Sequence, residues 1–516
     1  METDTVMTEH ADNDAEMMDA AEAVHDSAYA EKLLADRRAK LDKLRDEVGV
    51  NPYGSRTPGI VTVAEARSRF IPEAEGDDRP VVRVAGRVML HRDTGRLQWL
   101  NLRDMTGDIQ IAVSKKNVVD EESFVIAKMA DLGDILSVEG PVMKTKTGEI
   151  TVWVESLQMQ CKTLAMPPEK WAGLQDAELR YRRRYIDMYA NPEVCATFAA
   201  RARIIREIRS YMSDLGFLEM ETPILQTQAG GAAARPFYTH LNALDIGLTL
   251  RIATELHLKR LMVGGMHKVY EIGRNFRNEG VDRQHNPEFT SMEVYEAFGN
   301  YETMMELTEN LIRRLAFMMS ETGIIEWSGH SIDYATSFRK VTYAELFEEA
   351  NGFSIYDIDK VRDKAKSIGI AKVPALDDWI VVDKLFEETA EKGLIQPTFV
   401  TDYPSAISPL TRPREDHPEL CERWDLFIGE MEIGPAYTEL NDPDIQEAKF
   451  TEQLKGMDDE DATFRTLDED FLSALRVGMP PAGGLGLGID RIIMLLTSSR
   501  SIRDVIPFPF MRPESS

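Results

Sequence analysis

The chain has 516 residues, a hydrophobic fraction of 43% and a formal net charge of −28, values that fit a soluble globular protein of two or three domains. No apolar run approaches membrane-spanning length and the N-terminus carries no secretory signal, so we expect a cytoplasmic protein whose cysteines, Cys161, Cys195 and Cys421, are reduced thiols without metal-ligand spacing. The acidity excludes a uniformly basic surface for nucleic acid, and such binding would require local basic faces.

The N-terminal 60 residues divide into two parts. Residues 1–27 are rich in Asp, Glu, Ala and Met and are predicted to be a disordered acidic tail. In the segment 28–60, apolar residues recur at helical spacing among basic side chains: Leu33, Leu34, Leu41, Leu44 and Val48. This pattern predicts an amphipathic helix. Its basic face either packs on the helix's own domain or contacts RNA. The first alternative is favoured, because it is the usual fate of a run of charged residues.

Residues 61–160 alternate between apolar and polar side chains in short segments, which predict a β-barrel. The expected strands are separated by glycine-containing turns, and they cover Val81–Leu90, Leu97–Arg103, Asp108–Val113, Ile135–Met143 and Glu149–Val154. A helix is predicted over Glu121–Met129. Five strands with a helix after the third are typical of the OB fold, a common reader of single-stranded nucleic acid.

The remaining two thirds of the chain are predicted to contain one large domain. The polar stretch 161–190 carries the basic run Arg180-Tyr-Arg-Arg-Arg-Tyr185 and is interpreted as a hinge. Residues 191–516 interleave strands and helices, with a mostly helical insertion predicted near 324–395. The predicted fold class is therefore α+β, with an N-terminal barrel.

A Phe-Arg-x-Glu segment, Phe276 to Glu279, stands between an apolar strand and a polar loop. An arginine can fork onto a carboxylate or a phosphate. A carboxylate two residues further shares its face of an extended strand and can accept from an adenine amino group. Taken alone, the segment is better explained as a surface ion pair.

Two further segments accompany it. The first, Gly483-Gly-Leu-Gly-Leu-Gly-Ile-Asp-Arg491, precedes the apolar helix Ile492–Leu496. Its glycines allow backbone to approach a ligand and its arginine suits a phosphate chain, although tight packing of a strand on a helix also explains the glycines. The second, Gly216-Phe-Leu-Glu-Met-Glu-Thr-Pro223, follows a helix predicted over Ala199–Leu215 and is expected at an interface.

In chain order, these three segments resemble motifs 1, 2 and 3 of the class II aminoacyl-tRNA synthetases. The resemblance implies an antiparallel catalytic sheet flanked by helices, a homodimer and, with the barrel, the subclass of aspartate, asparagine and lysine enzymes. Three more segments resemble the lysyl-tRNA synthetases in particular: Ala229–Phe237, Leu250–Arg260 and Glu432–Gly434 with Glu439–Asn441.

The resemblance implies that the chain activates L-lysine with ATP and loads it onto tRNA(Lys). A lysine pocket has to pair a buried ammonium group with carboxylates, since an unpaired buried charge is costly. The implied lysine-binding residues are Gly231, Glu255, Arg277, Glu293, Tyr295, Tyr437, Glu439 and Gly486. Glu293, Tyr295 and Glu439 would hold the ε-amino group, and Glu255 with the Gly231 backbone the α-amino group. Each glutamate is otherwise a partner for a neighbouring arginine.

ATP is implied to bind Arg277, Glu279, His285, Asn286, Phe289, Glu432 and Arg491. Arg277 and Arg491 are the implied catalytic residues, because this reaction needs positioning and charge neutralisation rather than a covalent nucleophile. Arg277 would bridge the lysine carboxylate and the α-phosphate. Glu279 would read adenine with Phe289 stacked on it, and His285 and Arg491 would hold the β- and γ-phosphates.

The run Trp424–Ile433 is strand-like and contains Asp425 and Glu432. The resemblance implies that both residues are ligands of a Mg²⁺ ion bound with ATP. Carboxylates suit this role, because Mg²⁺ prefers hard oxygen donors. Asp425 is otherwise an ordinary acid at a strand edge. The chain departs from the family pattern at two positions. Pro435 stands where an asparagine is common, and Thr254 stands where proline is usual.

In the barrel, Trp99, Gln110 and Glu149 match positions at which related enzymes read the middle anticodon base. Trp99 is alternatively an aromatic residue of the barrel core. Two other functions compete with tRNA charging. The barrel argues against the first alternative, a paralogue that lysylates a protein. The second alternative is a nucleotide-binding protein with an inactive site, and it is disfavoured by four intact residues: Arg277, Glu279, Glu432 and Arg491.

Overall fold

The computed structural model describes four stretches, apart from the side chains of 452–454: residues 31–165, 176–232, 234–454 and 468–513. The chain divides into two compact units, Met1–Ala196 and Thr197–Ser516. The predicted acidic tail lies outside the described residues. Across the described part of the chain, no helix is both long and apolar enough to cross a membrane.

The described part of the first unit contains one sheet of seven strands: β1 (Ile60–Val61), β2 (Val81–Asp93), β3 (Leu97–Asp104), β4 (Gly107–Ser114), β5 (Ile135–Lys144), β6 (Ile150–Val154) and β7 (Ser156–Cys161). The order β2-β3-β4-β6-β5 closes into a barrel because β2 also pairs with β5. Alternate residues such as Val84, Leu100 and Ile111 point inward and fill it. The predicted five-stranded OB-type barrel is confirmed. β1 and β7 extend the sheet and were not predicted.

The helices of the first unit lie around this barrel: α1 (31–43), continued by a π-helical turn (Leu44–Val48), α2 (Val63–Ser68), a 3₁₀ turn (Gly76–Asp78), α3 (Glu121–Met129), α4 (Ala177–Arg182) and α5 (Arg184–Ala190). The predicted helix between the third and fourth barrel strands is confirmed, and α2 was not predicted. The amphipathic helix stops at Val48, so it does not fill the segment 28–60.

The basic face of α1 packs on its own domain. Arg37 is buried, and its two terminal nitrogens donate to the carbonyl oxygens of Thr163 and Leu132, each at 2.9 Å. Lys40 pairs with Asp131 at 2.5 Å. Because these side chains are already engaged within the unit, the packing interpretation of the basic face is favoured over RNA contact.

The stretch predicted as a hinge begins with the end of β7 at Cys161 and four irregular residues, and its second half, 177–190, consists of the helices α4 and α5. Arg184 in α5 is buried and forms an ion pair of 2.7 Å with Asp187, which also accepts from Arg180 at 2.7 Å. Residues 166–175 of the predicted hinge lie outside the described residues. Polarity predicted a linker here, but the basic run finds its acidic partner locally and folds as two short helices. The predicted domain limits stay predictions.

The described part of the second unit is built on an eight-stranded sheet of order β16-β17-β18-β19-β20-β13-β12-β8. Its inner pairs are antiparallel, and β8–β12 and β16–β17 at the edges are parallel. Its strands and those of two small sheets are β8 (Leu218–Glu219), β9 (Leu225–Gln226), β10 (Tyr238–Leu241), β11 (Ile246–Leu250), β12 (Lys268–Phe276), β13 (Glu288–Ala297), β14 (Ile324–Trp327), β15 (His330–Asp333), β16 (Arg339–Thr342), β17 (Thr398–Thr401), β18 (Arg423–Ile428), β19 (Met431–Thr438) and β20 (Ala482–Gly488).

Helices cover this sheet and enclose its core. Ile204 and Leu311 from two of them pack with Met292 of β13 and Leu485 of β20 in one cluster of buried side chains. The described helices are α6 (Pro192–Asp214, which begins in the first unit), α7 (Glu255–Val263), α8 (Tyr301–Met319), α9 (Tyr343–Asn351), α10 (Ile358–Ser367), α11 (Asp378–Thr389), α12 (Pro443–Leu454), α13 (Glu469–Gly478), α14 (Ile489–Leu496) and α15 (Ile502–Val505), with 3₁₀ turns at Val373–Ala375 and Ser405–Ile407.

The predicted helical insertion near 324–395 is only partly helical. Helices α9 to α11 agree with the prediction, whereas 324–342 holds the hairpin β14–β15 and then β16, which joins the main sheet beside β17. The helical expectation was wrong for this part. Its strands are four residues long, and segments so short do not distinguish strand from helix by periodicity.

Candidate active site

Motif 2 is an antiparallel hairpin of β12 and β13, in which Glu271 pairs with Glu293 and Phe276 with Glu288. β12 ends at Phe276, so Arg277 and Glu279 lie in the loop beyond it and do not share a strand face as expected. The loop still fixes Arg277, because its backbone N–H donates to the Pro287 carbonyl oxygen at 2.9 Å. Glu279 is exposed to solvent.

The Arg277 side chain lies against the predicted adenine-stacking residue. Its Cζ is 5.2 Å from the centre of the Phe289 ring, a distance typical of a cation–π contact. Its buried Nε has no hydrogen-bond partner among the described residues. A guanidinium group that is held on one face and keeps a free donor suits a carboxylate or phosphate ligand.

Three residues of the predicted ATP site meet at one place. Arg491 donates to the backbone oxygen of Glu432 at 2.5 Å, and its other terminal nitrogen lies 3.2 Å from Nε2 of His285. Because arginine only donates, Nε2 accepts, and Nδ1 carries the proton that it donates to Asp282 at 2.8 Å. The structure thus brings together Arg491, His285 and the Glu432 backbone.

The predicted amino-acid pocket is buried and acidic. Glu293 accepts from the Thr254 backbone N–H at 2.9 Å and from the Tyr295 hydroxyl at 3.3 Å. Burial and the nearby charge of Glu255 raise the pKa of Glu293 to about 7. The pKa of Tyr295 lies well above its usual range, because the residue is buried beside Glu255, Glu293 and Glu439. The three glutamates therefore converge as expected.

Glu439 and Glu255 share one buried cation. Nζ of Lys259 lies 2.5 Å from Oε2 of Glu439 and 2.6 Å from Oε1 of Glu255. Burial still raises the pKa of Glu439 to about 8, although Lys259 acts in the opposite direction. Oε1 of Glu439 has no hydrogen-bond partner among the described residues.

The glycines of β20 shape the pocket. A Cβ atom at Gly484 would lie 1.7 Å from Oε1 of Glu439 and 2.7 Å from Cε1 of Tyr295, so only glycine leaves room for these two side chains. At Gly486 a Cβ would meet nothing within 4 Å, which marks open space at this predicted lysine-binding position. Tyr437 pairs with Gly484 across the strands and completes this wall.

Gly231 lies on the opposite side of the pocket, next to Glu255. A Cβ atom added to Gly231 would lie 3.2 Å from the Cβ of Glu255 and 3.7 Å from its Oε2. The predicted pair for the α-amino group is thus adjacent in the structure.

Asp425 and Glu432 lie on the two strands of a hairpin, β18 and β19, rather than in the single strand-like run that was expected. Gly429 and Glu430 form its turn with φ values of 61° and 62°. Both Asp425 oxygens accept from Arg423, at 2.8 and 2.7 Å. The Glu432 side chain is accessible to solvent, and desolvation by the surrounding protein together with the charge of Asp425 raises its pKa.

A cavity of about 720 Å³ lies between the motif 2 loop and the C-terminal residues Phe508 and Phe510. Of the residues predicted to bind ATP, Glu279 and Asn286 line it, and Arg277 and Arg491 do not. The cavity therefore adjoins the predicted nucleotide site and is distinct from the acidic pocket.

In the barrel, Trp99 points outward, because its neighbours Gln98 and Leu100 are buried and it is absent from the barrel core. Its ring packs edge-on against Trp153, with 5.9 Å between ring centres. Gln110 accepts from the Thr151 hydroxyl at 2.9 Å, and Glu149 accepts from Arg67 at 3.1 Å. The alternative of a core aromatic at position 99 is wrong.

Comparison with known proteins adds the family. Residues 176–512 match the model of tRNA synthetases class II (D, K and N), and residues 82–159 match the OB-fold nucleic acid binding domain. The chain belongs to the class II tRNA synthetases. The expected class II catalytic domain is thereby confirmed, and the protein is an aminoacyl-tRNA synthetase, a ligase of a family that uses ATP.

Curated relatives cover almost the whole chain. A lysine–tRNA ligase from Pelotomaculum thermopropionicum is 47% identical over 96% of this chain and 98% of its own length. Lysine–tRNA ligases from a Thermoanaerobacter species and from Staphylococcus saprophyticus are 46% and 45% identical over 94% and 92% of this chain, each across 97% of its own length.

In this class II synthetase, several residues that the sequence did not single out hold the site together. Arg201 donates to Asp490 at 2.5 Å, and Asp490 accepts from the backbone N–H of Thr290 at 2.7 Å. This network joins α6, β13 and the first turn of α14, which carries Arg491. Lys259 is the other such residue. Its spacing of four from Glu255 on one helix was a signal in the sequence.

Proposed function

We propose that this synthetase is a lysine–tRNA ligase. It activates L-lysine with ATP to give lysyl-adenylate and pyrophosphate, and it transfers the lysyl group to the 3′ end of tRNA(Lys). The observation that carries the choice of lysine is the buried pocket of Glu255, Glu293 and Glu439, because such a pocket suits a ligand with two ammonium groups. The relatives named lysine–tRNA ligase support the same choice.

In the first step, a carboxylate oxygen of lysine attacks the α-phosphorus and pyrophosphate leaves. Arg277 binds the lysine carboxylate and the α-phosphate together, while Arg491 and His285 hold the outer phosphates. In the second step, a ribose hydroxyl of the tRNA attacks the adenylate carbonyl and AMP leaves. The protein contributes orientation and charge neutralisation, because no side chain forms a covalent bond to the substrate.

Asp425 and Glu432 would hold a Mg²⁺ ion that neutralises phosphate charge when it is bound with ATP. Their hard oxygen donors fit this ion, and the negative charge of Asp425, which helps to raise the pKa of Glu432, supports a site for a cation. Among the described residues, no group of three or more His, Cys, Asp or Glu side chains is arranged to hold a metal. Two carboxylates suffice here, since Mg²⁺ takes further ligands from phosphates and water.

The barrel is proposed to read the anticodon through Trp99, Gln110 and Glu149. Trp99 is on the outer face, where a splayed base can stack; Gln110 lies on the neighbouring strand β4, and Glu149 immediately precedes β6. Homodimer formation is proposed from motif 1, and it is supported by exposed apolar side chains there: Leu215, Leu218, Ile224 and Leu225. The cytoplasmic location remains a prediction.

The decisive experiment is aminoacylation of total tRNA with each amino acid in turn. Charging with lysine alone is the expected result, and charging with another amino acid would overturn the proposal. A protein-lysylating enzyme would show lysine-dependent ATP–pyrophosphate exchange without tRNA charging. An inactive nucleotide-binding protein would show neither. The size of the assembly, measured by light scattering on the purified protein, tests the homodimer separately.

A further inference from the structure

The pocket proposed to bind free lysine already contains a lysine of the protein. Lys259 lies in α7 and is 0% exposed. Its titratable partners are Glu255 from the same helix and Glu439 just after β19, and the centre of the Tyr295 ring of β13 lies 6.0 Å from its Nζ. Glu293 of β13 and Tyr437 of β19 act in turn on Tyr295 and Glu439. From α13, the Phe471 ring packs 5.9 Å from its Nζ. A cation so placed acts directly on Glu255 and Glu439.

Lys259 contacts only one of the two carboxylate oxygens of Glu439, and likewise only one of the two of Glu255. It contacts Oε2 of Glu439, and the remaining Oε1 is the oxygen that lies toward Gly484 and Tyr295 without a hydrogen-bond partner among the described residues. It contacts Oε1 of Glu255, and the remaining Oε2 faces Gly231. The free oxygens thus point to the two places proposed for the ε-amino and α-amino groups of the substrate.

With Lys259 included, the charge of the pocket is equal and opposite to the charge of free lysine. When all three glutamates are ionised they contribute −3, and Lys259 with Arg277 contributes +2, so the pocket then carries −1. Free lysine carries two ammonium groups and one carboxylate, which sum to +1. Without Lys259, two unneutralised negative charges would be buried, and buried carboxylates in that situation take up protons.

We infer that Lys259 is a positioning residue for amino-acid binding, which supplies a positive charge between Glu255 and Glu439 and turns one oxygen of each toward the substrate. This inference rests on the proposed function. A purely structural ion pair would affect stability and leave lysine recognition unchanged, and this difference can be measured.

The test measures lysine-dependent ATP–pyrophosphate exchange, which needs no tRNA, across about pH 6 to 9. For Lys259→Met, we expect the KM for lysine to rise on the order of tenfold or more, because a buried acid loses its cation. The KM for ATP should stay within about twofold of wild type. The pH at which the lysine KM improves should shift upward, since removing a cation raises the pKa of neighbouring acids.

Lys162→Met is the matched control. Lys162 is also fully buried and pairs with two acids, Asp131 at 2.6 Å and Asp134 at 2.7 Å, but it belongs to the barrel unit. We expect this variant to lose thermal stability and to keep the wild-type KM for lysine and its pH profile. Lys259→Arg keeps the charge and moves the donors, so its lysine KM should rise while its pH profile stays that of wild type.

An unchanged lysine KM in Lys259→Met, or an equal rise in the KM values for lysine and ATP, would overturn the inference. If Lys259→Met does not fold, Lys259→Arg decides, and a shifted pH profile or a wild-type lysine KM would contradict the inference. Absence of lysine-dependent exchange in the wild-type protein would instead defeat the proposed function, so the two failures are distinguishable.

Discussion

The amino-acid pocket and the phosphate end of the site are built in opposite ways. In the pocket, Glu255, Glu293 and Glu439 are 5%, 9% and 1% exposed, and each already has a partner within the protein. At the phosphate end, His285 is exposed and Arg491 is half-buried, held by a backbone oxygen and a histidine ring. The first region is closed and acidic, and the second is open and basic.

The contrast follows from the ligands. A small amino acid differs from its competitors by one charge, so the groups that recognise it have to be fixed and kept from water before it arrives. ATP carries several negative charges. Arginine and histidine side chains that bind it can remain solvated before it arrives, so no unpaired charge has to be buried. Substitutions in the pocket should therefore change selectivity, and those at the phosphate end should change rate.

Among the substitutions, the largest effect is expected for Glu439→Gln. The amide is uncharged and cannot form an ion pair with an ammonium group, so the KM for lysine should rise on the order of 10² to 10³-fold, as for loss of one partner in a buried charge pair. The KM for ATP should remain near wild type. ATP–pyrophosphate exchange at varied lysine measures both constants. Glu430→Gln, at the exposed turn of the neighbouring hairpin, is the control and should change neither; an equal rise in both constants would remove the distinction between the two regions.

Arg277→Lys should act mainly on rate. Lysine lacks the planar fork that contacts a carboxylate and a phosphate together, so kcat should fall about 10²-fold, comparable to the loss of one preorganised donor. The lysine KM should change much less. Pre-steady-state formation of lysyl-adenylate measures the effect, and a variant with wild-type adenylate formation would contradict the bridging role.

Changing the pH should move lysine binding by about tenfold. The pKa of Glu293 is raised to about 7 and that of Glu439 to about 8, whereas the ε-amine of the substrate stays protonated over this range. Both acids must be ionised to pair with it, so the KM for lysine should fall as the pH rises from about 6 to 9. A lysine KM that rises over this range would contradict the assignment.

The same pKa values have a consequence for stability. Acids with raised pKa bind protons in the folded state that the unfolded chain has already lost, so their contribution to stability is lost as the pH rises through about 7 to 8. Melting temperatures without ligand should fall over this range, and added lysine should raise them most at the higher pH.

The smallest effect is expected for Thr254→Pro. Proline has no backbone N–H, so Glu293 loses the bond of 2.9 Å that favours its ionised form. The KM for lysine at neutral pH should rise about threefold, the loss of one modest hydrogen bond. Thr254→Ser keeps the donor and should match wild type in the same exchange assay. This departure from the family pattern thus supplies a donor, and a wild-type KM in the proline variant would show that the donor is dispensable.

Most of the barrel could be predicted from the sequence, because each strand alternates within its own few residues and the turns between strands carry glycine. The hairpin of β18 and β19 could not. Its turn has positive φ at Gly429 and Glu430, and a Gly-Glu pair is a weak sign of the turn type that requires this. The segment 324–342 was missed because its strands are too short for periodicity to identify.

The site divides along the same line. Residues within recognisable motifs, such as Arg277 and Arg491, could be found in the sequence and meet other predicted residues in the structure. Partners that depend on tertiary packing could not. Lys259 reaches Glu439, and Arg201 reaches Asp490, only after segments that are distant in the sequence have been brought together by folding. The motifs alone identify the class of ligand. The charge state of the pocket that binds it can be worked out only from the folded structure.

The central claim is that the pocket recognises the ε-ammonium group through buried carboxylates. The most direct test compares lysine with norleucine, which has the same carbon skeleton and no ammonium group, in amino-acid-dependent ATP–pyrophosphate exchange. We predict that kcat/KM for norleucine is lower by about 10⁴-fold or more, because the site would be left with unpaired buried charges. Comparable values for the two amino acids would contradict the account.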